Sequence, residues 1–217
     1  MTATASGKKT GRPRSLHEPD IIDAALAEGL ATVSMPAVAR RLGVTHSALY
    51  RYFPDRNALL VACVGAAVER TQWPIGSEPW RDCLTQFANS MWGMYSTYCG
   101  LAETVVTISG TPPAGTSLVE RLVSGLHGQG FSIRNATLAV DFVADVTTST
   151  FAAMTRLDTP LETGGTTRDR FREDWSRPEI LSEIVSDDSA WFGRGWLDEK
   201  IDVLLDGLER RISAAQK

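Results

Sequence analysis

The chain is poor in cysteine and histidine, with three of each in 217 residues. Cys63, Cys83 and Cys99 are odd in number and lack the paired short spacings of a zinc site, so a disulfide scaffold is excluded and reduced, mostly buried thiols are expected. The histidines His17, His46 and His127 are scattered, and no G-x-S-x-G elbow or phosphate-cradling loop accompanies them. Asp141 and Asp145 stand one helical turn apart, a spacing commoner on a solvated helix face than in an acid/base pair. The residues therefore predict neither enzyme nor metal site, and no cofactor is expected. Long apolar runs are missing too, and the opening MTATASGKKT has no apolar core like that of a signal peptide. Neither a membrane span nor secretion is expected, which points to a cytoplasmic address.

Net charge is small, −4, but it is unevenly spread. Residues 1–56 hold eight Lys and Arg against five acids, whereas the remainder holds fourteen against twenty-one. A basic, anion-binding segment on an acidic body follows from that asymmetry.

Hydrophobic spacing is helical throughout, with no convincing alternating strand. Residues 1–15 are small, polar and basic, and read as a disordered cationic arm carrying Arg12 and Arg14. Helix one runs from about Pro19 to Gly29, and a second short helix opens at Ser34 and closes at Gly43. Thr45 caps a third, HSALYRYF, and Asp55 caps a fourth from Arg56 to about Gln72. Later helices are placed at about 80–98, 101–109, 115–128, 133–156, 178–186 and 194–214, and Leu157 to Ser176 reads as a surface loop.

A helix, a turn at Gly43 and Val44, and a short polar helix form a helix-turn-helix arrangement. A major groove admits one helix, so Thr45, His46 and Ser47 occupy the base-facing start. Spacing alone leaves a plain three-helix bundle, with Leu42, Leu49 and Phe53 as core, an equal reading.

The stretch VSMPAVARRLGVTHSALYRYFPDRNALL, Val33 to Leu60, together with the GRPR arm, resembles the DNA-binding head of the TetR (tetracycline-repressor-like) family of bacterial regulators. The resemblance covers about the first 70 residues. It implies base contacts from Thr45, His46 and Ser47, phosphate contacts from Ser34, Tyr50, Tyr52 and Arg56, and coupling to the body through helix four. Pro36 and Ser47 depart from the residues commonest in the family at those places.

Between Asp82 and Glu120 the only charged residue is Glu103, and the helix before it is apolar around much of its circumference. Such a helix either sits centrally or lines a cavity. In the family this region is the effector-binding domain, which makes Trp92, Tyr95, Tyr98, Phe142 and Met154, with Glu103 as polar anchor, the ligand-binding candidates; core packing accounts equally for each alone. The resemblance further implies a dimer interface from the two longest late helices, with Leu138, Phe142, Val146, Trp196, Ile201, Leu205 and Leu208 at its seam.

The expectation is an all-α chain: a three-helix helix-turn-helix DNA-binding head at 16–72, joined by a long helix to an effector-binding and dimerisation domain at 73–217. Its partners would be a palindromic double-stranded DNA operator, a small-molecule effector and a second copy of itself. A ligand-independent regulator or activator is the alternative within the class, and a helical binding protein with a protein-interaction head is the alternative outside it.

Overall fold

Local capping sets the first four helices. The computed structural model describes residues 16–215, among which there is no strand, only an isolated bridge between Pro160 and Thr166. Helix α1 (Glu18–Glu28) begins with Pro19 in its first turn, and a capping box joins His17 to Asp20. Helix α2 (Met35–Leu42) is capped by Ser34, whose Oγ accepts from the Ala37 amide at 3.3 Å. It ends at Gly43, whose φ of 69° is the left-handed turn that separates α2 from α3 (His46–Leu49). Asp55 caps α4 (Arg56–Arg70) by accepting from the Ala58 amide at 2.8 Å.

Helix α3 is shorter than the sequence predicts. Regular helix stops at Leu49, and Tyr50 to Phe53 continue as a turn whose Tyr52 and Phe53 amides both donate to the Leu49 carbonyl. Thr45 holds the N-cap position, but its hydroxyl bonds Ser47 Oγ at 3.0 Å instead of capping the helix.

The body follows as α5 (Trp80–Thr97), α6 (Leu101–Val105), α7 (Pro113–Gly128), α8 (Ile133–Leu157), α9 (Thr167–Ser176), α10 (Glu179–Val185), α11 (Asp188–Trp191) and α12 (Leu197–Ala215). Helix α8 is the central rod, packed by α5, α7, α6 and α12. Buried apolar side chains run continuously from Ile21 and Leu49 through Leu59, Leu84 and Leu122 to Leu205. No helix among the described residues is long and apolar enough to cross a membrane.

The segment read as a loop, Leu157 to Ser176, is corrected by α9 and the turn before it. Helix α9, TRDRFREDWS, buries none of its residues, so it carries no apolar stripe for periodicity to detect. Mainly polar interactions hold it: a Thr166–Asp169 capping box, ion pairs of Arg170 with Asp174 and of Arg177 with Glu173, and Arg168 reaching the Trp191 carbonyl at 2.6 Å and lying over the Phe192 ring, with the Trp175 ring packed edge to face on Trp191. The thiols are free as expected, and burial pushes Cys63 up to about 12 and Cys83 up to about 11. Cys99 departs from the expectation in being exposed.

Candidate functional site

Two separate features stand out, a polar edge on the head and a cavity in the body. On the head, Val38, Ala39, Leu49 and Phe53 point into the core, which leaves Thr45, His46, Ser47 and Tyr50 exposed on one edge. His46 and Tyr50 meet edge to face with ring centroids 6.2 Å apart. Ser34 is half-buried; its oxygen caps α2 while its hydroxyl hydrogen stays available to donate.

Two expected phosphate contacts are turned inward. The Tyr52 hydroxyl donates to the Leu16 carbonyl at 2.5 Å, so its one hydrogen pins the chain where it enters α1. Arg56 donates from Nε to the Val33 carbonyl at 2.7 Å and from Nη2 towards Leu30 and Ala31, stitching α4 to the α1–α2 turn. Both residues therefore hold the head together in this conformation. Arg51, which the sequence reading left out, is exposed beside Tyr50 and, like Arg40, forms no ion pair among the described residues; Arg41 is held by Glu28 at 2.9 Å. Its place next to Tyr50 in the turn after α3 was the available signal. Arg12 and Arg14 lie outside the described residues.

In the body, a cavity of about 1050 Å³, open to solvent on one side, lies among α4, α5, α6, α7 and α8. Its wall combines Val64 and Val68 of α4 with Trp73, Phe87, Met91, Met94 and Tyr95, the segment Ala102 to Ile108, and Asp141, Asp145 and Thr148 of α8. Tyr95 and Glu103 are the two sequence candidates that reach it. Burial pushes the Tyr95 phenol up to about 12, and its oxygen bonds Thr148 Oγ1 at 2.8 Å.

The other four candidates lie elsewhere. Trp92 packs on Phe151 with centroids 4.8 Å apart and lies beneath Arg194. Tyr98 stands beside Arg70, which pairs with Asp23 of α1 at 2.7 Å. Met154 is buried against Gly195, and Phe142 lies on the opposite side of α8 from the cavity wall, 49% exposed. Asp141 and Asp145, read as a solvated face, are exposed as that reading expects, and they also line the cavity.

Phe142 belongs to a second depression, an apolar groove of about 850 Å³ between α8 and α12. Leu138, Phe142, Val146, Trp196 and Leu208 line it, as do Val203 and Leu204. Ile201 and Leu205 do not: they are 3% and 2% exposed and face their own protomer's core, so they are corrected from seam to core residues. Leu208 serves both, being 5% exposed at the floor of the groove.

Head and cavity are joined at three places. Helix α4 starts in the head at Arg56 and walls the cavity at Val64 and Val68. The Leu30 amide donates to the Cys99 carbonyl at 2.9 Å, just before α6. Beyond α6, Asn57 and Ser109 exchange two hydrogen bonds, the Asn57 amide donating at 3.2 Å and the Ser109 backbone donating in return at 2.9 Å. At the Leu30–Cys99 junction Gly100 has a φ of 77°, and a Cβ placed there would lie 2.4 Å from the Ala31 nitrogen. Only glycine allows that approach.

Comparison with known proteins agrees with this architecture. Residues 21–63 match the model of the family described as bacterial regulatory proteins, tetR family. An HTH-type transcriptional repressor of Mycobacterium tuberculosis and an uncharacterised HTH-type transcriptional regulator of Mycobacterium bovis are each 28% identical over 145 residues, which is 61% of this chain. The match spans 56% of the length of those relatives. Among solved structures, apo ActR of Streptomyces coelicolor superposes with a TM-score of 0.77 at 19% identity, over 94% of this chain and 99% of ActR. ActR in complex with actinorhodin gives 0.77 at 20% identity, over 91% and 99%. BioQ with its natural double-stranded DNA operator gives 0.62 at 21%, over 89% and 98%. These likenesses establish the shared fold, and the head carries the family's sequence pattern. Residues 21–63 thus carry the DNA-binding head of the tetR family of bacterial regulatory proteins, on a chain that shares the fold of those solved structures.

Proposed function

We propose that the chain is a homodimeric DNA-binding repressor, active in the cytoplasm as a binding protein and not as an enzyme, that leaves its operator when a small molecule occupies the body cavity. In this reading residues 1–15 are a basic arm, 16–72 read DNA, and 73–217 sense the effector and dimerise. Thr45, His46 and Ser47 meet base edges, while Ser34, Tyr50, Arg40 and Arg51 grip phosphates. The operator relatives of this fold, BioQ with its DNA and ActR with actinorhodin, support the two halves of the reading.

One observation carries the release step: the cavity-lining segment around α6 is hydrogen-bonded to the head on both flanks, at Leu30 and at Asn57. A ligand that displaces α6 must therefore move or break those contacts. A differential affinity of a few kcal/mol between the two arrangements is enough to empty the operator. The presence of a large cavity favours this over a ligand-independent regulator.

The test is a salt titration of binding to the DNA upstream of the chain's own coding sequence, with and without candidate effectors. Tight, selective binding that weakens steeply with salt is expected, and Tyr50→Ala should remove it while leaving the fold intact. Binding that ignores both salt and sequence, on that DNA and on randomised DNA, would move the head to a protein-interaction role. The same assay separates two arginines. Arg51→Ala should lower affinity and reduce the salt slope by about one with no change in melting temperature. Arg56→Ala should instead lower stability by about 2 kcal/mol, from the loss of charged hydrogen bonds to backbone carbonyls, with the salt slope unchanged.

A further inference from the structure

We propose that the cavity takes a lipophilic organic cation, a bulky apolar or aromatic body carrying an ammonium-type charge and a hydrogen-bond acceptor; the proposal rests on the effector reading above and adds the chemistry of the ligand. The charged side chains on the cavity wall are Glu103, Asp141 and Asp145, all of one sign, and no Lys, Arg or His joins them. None of the three forms an ion pair among the described residues. Asp141 and Asp145 are exposed and Glu103 is half-buried. Asp141 and Asp145 stand one turn apart on α8, where like charges repel, and α6 brings Glu103 to the same cavity. An anion would add to that repulsion, whereas a cation relieves it.

The rest of the wall suits the body of such a molecule. Trp73, Phe87 and Tyr95 supply aromatic surface, which attracts cations through the ring faces, and Met91 and Met94 supply adaptable apolar surface. A donor is also waiting. Tyr95 and Thr148 are 3% and 8% exposed and share a single hydrogen bond, so one of their two hydroxyl hydrogens has no acceptor among the described residues. A buried donor without an acceptor is costly, and a ligand carbonyl or ether oxygen would satisfy it. No group of three or more His, Cys, Asp or Glu among the described residues is disposed to hold a metal ion, so the cation is organic.

Tetraphenylphosphonium and tetraphenylborate, ions of like shape and opposite charge, are the probes, titrated into the full chain by tryptophan fluorescence and calorimetry. Tetraphenylphosphonium should bind about tenfold more tightly or better. The triple variant E103Q/D141N/D145N should erase that preference, and Ala144→Trp, or Val106→Trp at the mouth should the first not fold, should abolish binding of both ions. Equal or tighter binding of the borate would overturn the cation class and leave the effector cavity standing. Phosphonium binding untouched by the charge and filling variants would place it outside the cavity and overturn the proposal. Binding of neither ion would overturn it together with a cavity for bulky guests. Phosphonium binding with the predicted charge preference but no change in operator affinity would support the cation site and remove the effector reading.

Discussion

Replacing Gly100 with alanine should lower the stability of the protein by about 3 kcal/mol, and the melting temperature by roughly 6–12 °C. Two costs combine. A side chain at a φ of 77° costs about 1–2 kcal/mol, and a new Cβ 2.4 Å from the Ala31 nitrogen forces the α5–α6 corner away from the α1–α2 turn at a further cost of about 1–3 kcal/mol. Gly43→Ala is the matched control. Gly43 has a similar φ of 69° but nothing within 4 Å of the would-be Cβ, so only the backbone cost applies. A denaturation series in which both variants lose the same amount would show that the Gly100 contact carries no energy of its own. A larger loss at Gly100 would measure how firmly the head is seated on the body.

The double variant F142D/V203D should be monomeric in light scattering at micromolar concentration and should bind operator at least about a hundredfold more weakly than the parent. Phe142 and Val203 are 49% and 72% exposed in the protomer, on facing sides of the α8–α12 groove, so carboxylates there leave the protomer's own core intact. A charge on each copy would repel its counterpart across a two-fold axis. Unchanged circular dichroism distinguishes this from Leu205→Asp, which places a charge in the core and should unfold the chain. A double variant that remains a dimer would send the interface to another face of the molecule.

The head was the most readable part of the sequence because its boundaries are written in local chemistry. Ser34, Gly43 and Asp55 each act within three or four residues of themselves, so caps and stops predict α1, α2 and α4 nearly to the residue. What long side chains do there was not readable. The partners of Arg56 are carbonyls 23 to 26 residues away, and that of Tyr52 is 36 away, so their inward turn depends on tertiary placement. Helix α9 escaped for a different reason. A capping box, charge pairs and one aromatic contact, Trp175 on Trp191, hold it, and a pattern search for buried faces finds no buried residue there.

The cavity shows the same division. The uncharged stretch after Asp82 marked α5 as central, and four of its residues, Phe87, Met91, Met94 and Tyr95, do line the cavity. Which way a nearly all-apolar helix turns is decided by its neighbours, however, and Trp92 faces Phe151 and Arg194 instead. On α8, one residue of offset separates Asp141, on the cavity, from Phe142, on the groove. Periodicity supplies the faces of that helix, and packing alone assigns them to their neighbours.

Helix α8 is thus a shared wall, with the cavity on one side and the α8–α12 groove on the other. If two copies pair through that groove, guest binding and pairing draw on the same 25-residue rod, and thermodynamic linkage makes their influence mutual: whatever factor the guest applies to self-association, self-association applies to the guest. The dose at which such a switch responds is then set partly by how many copies of the chain the cell holds.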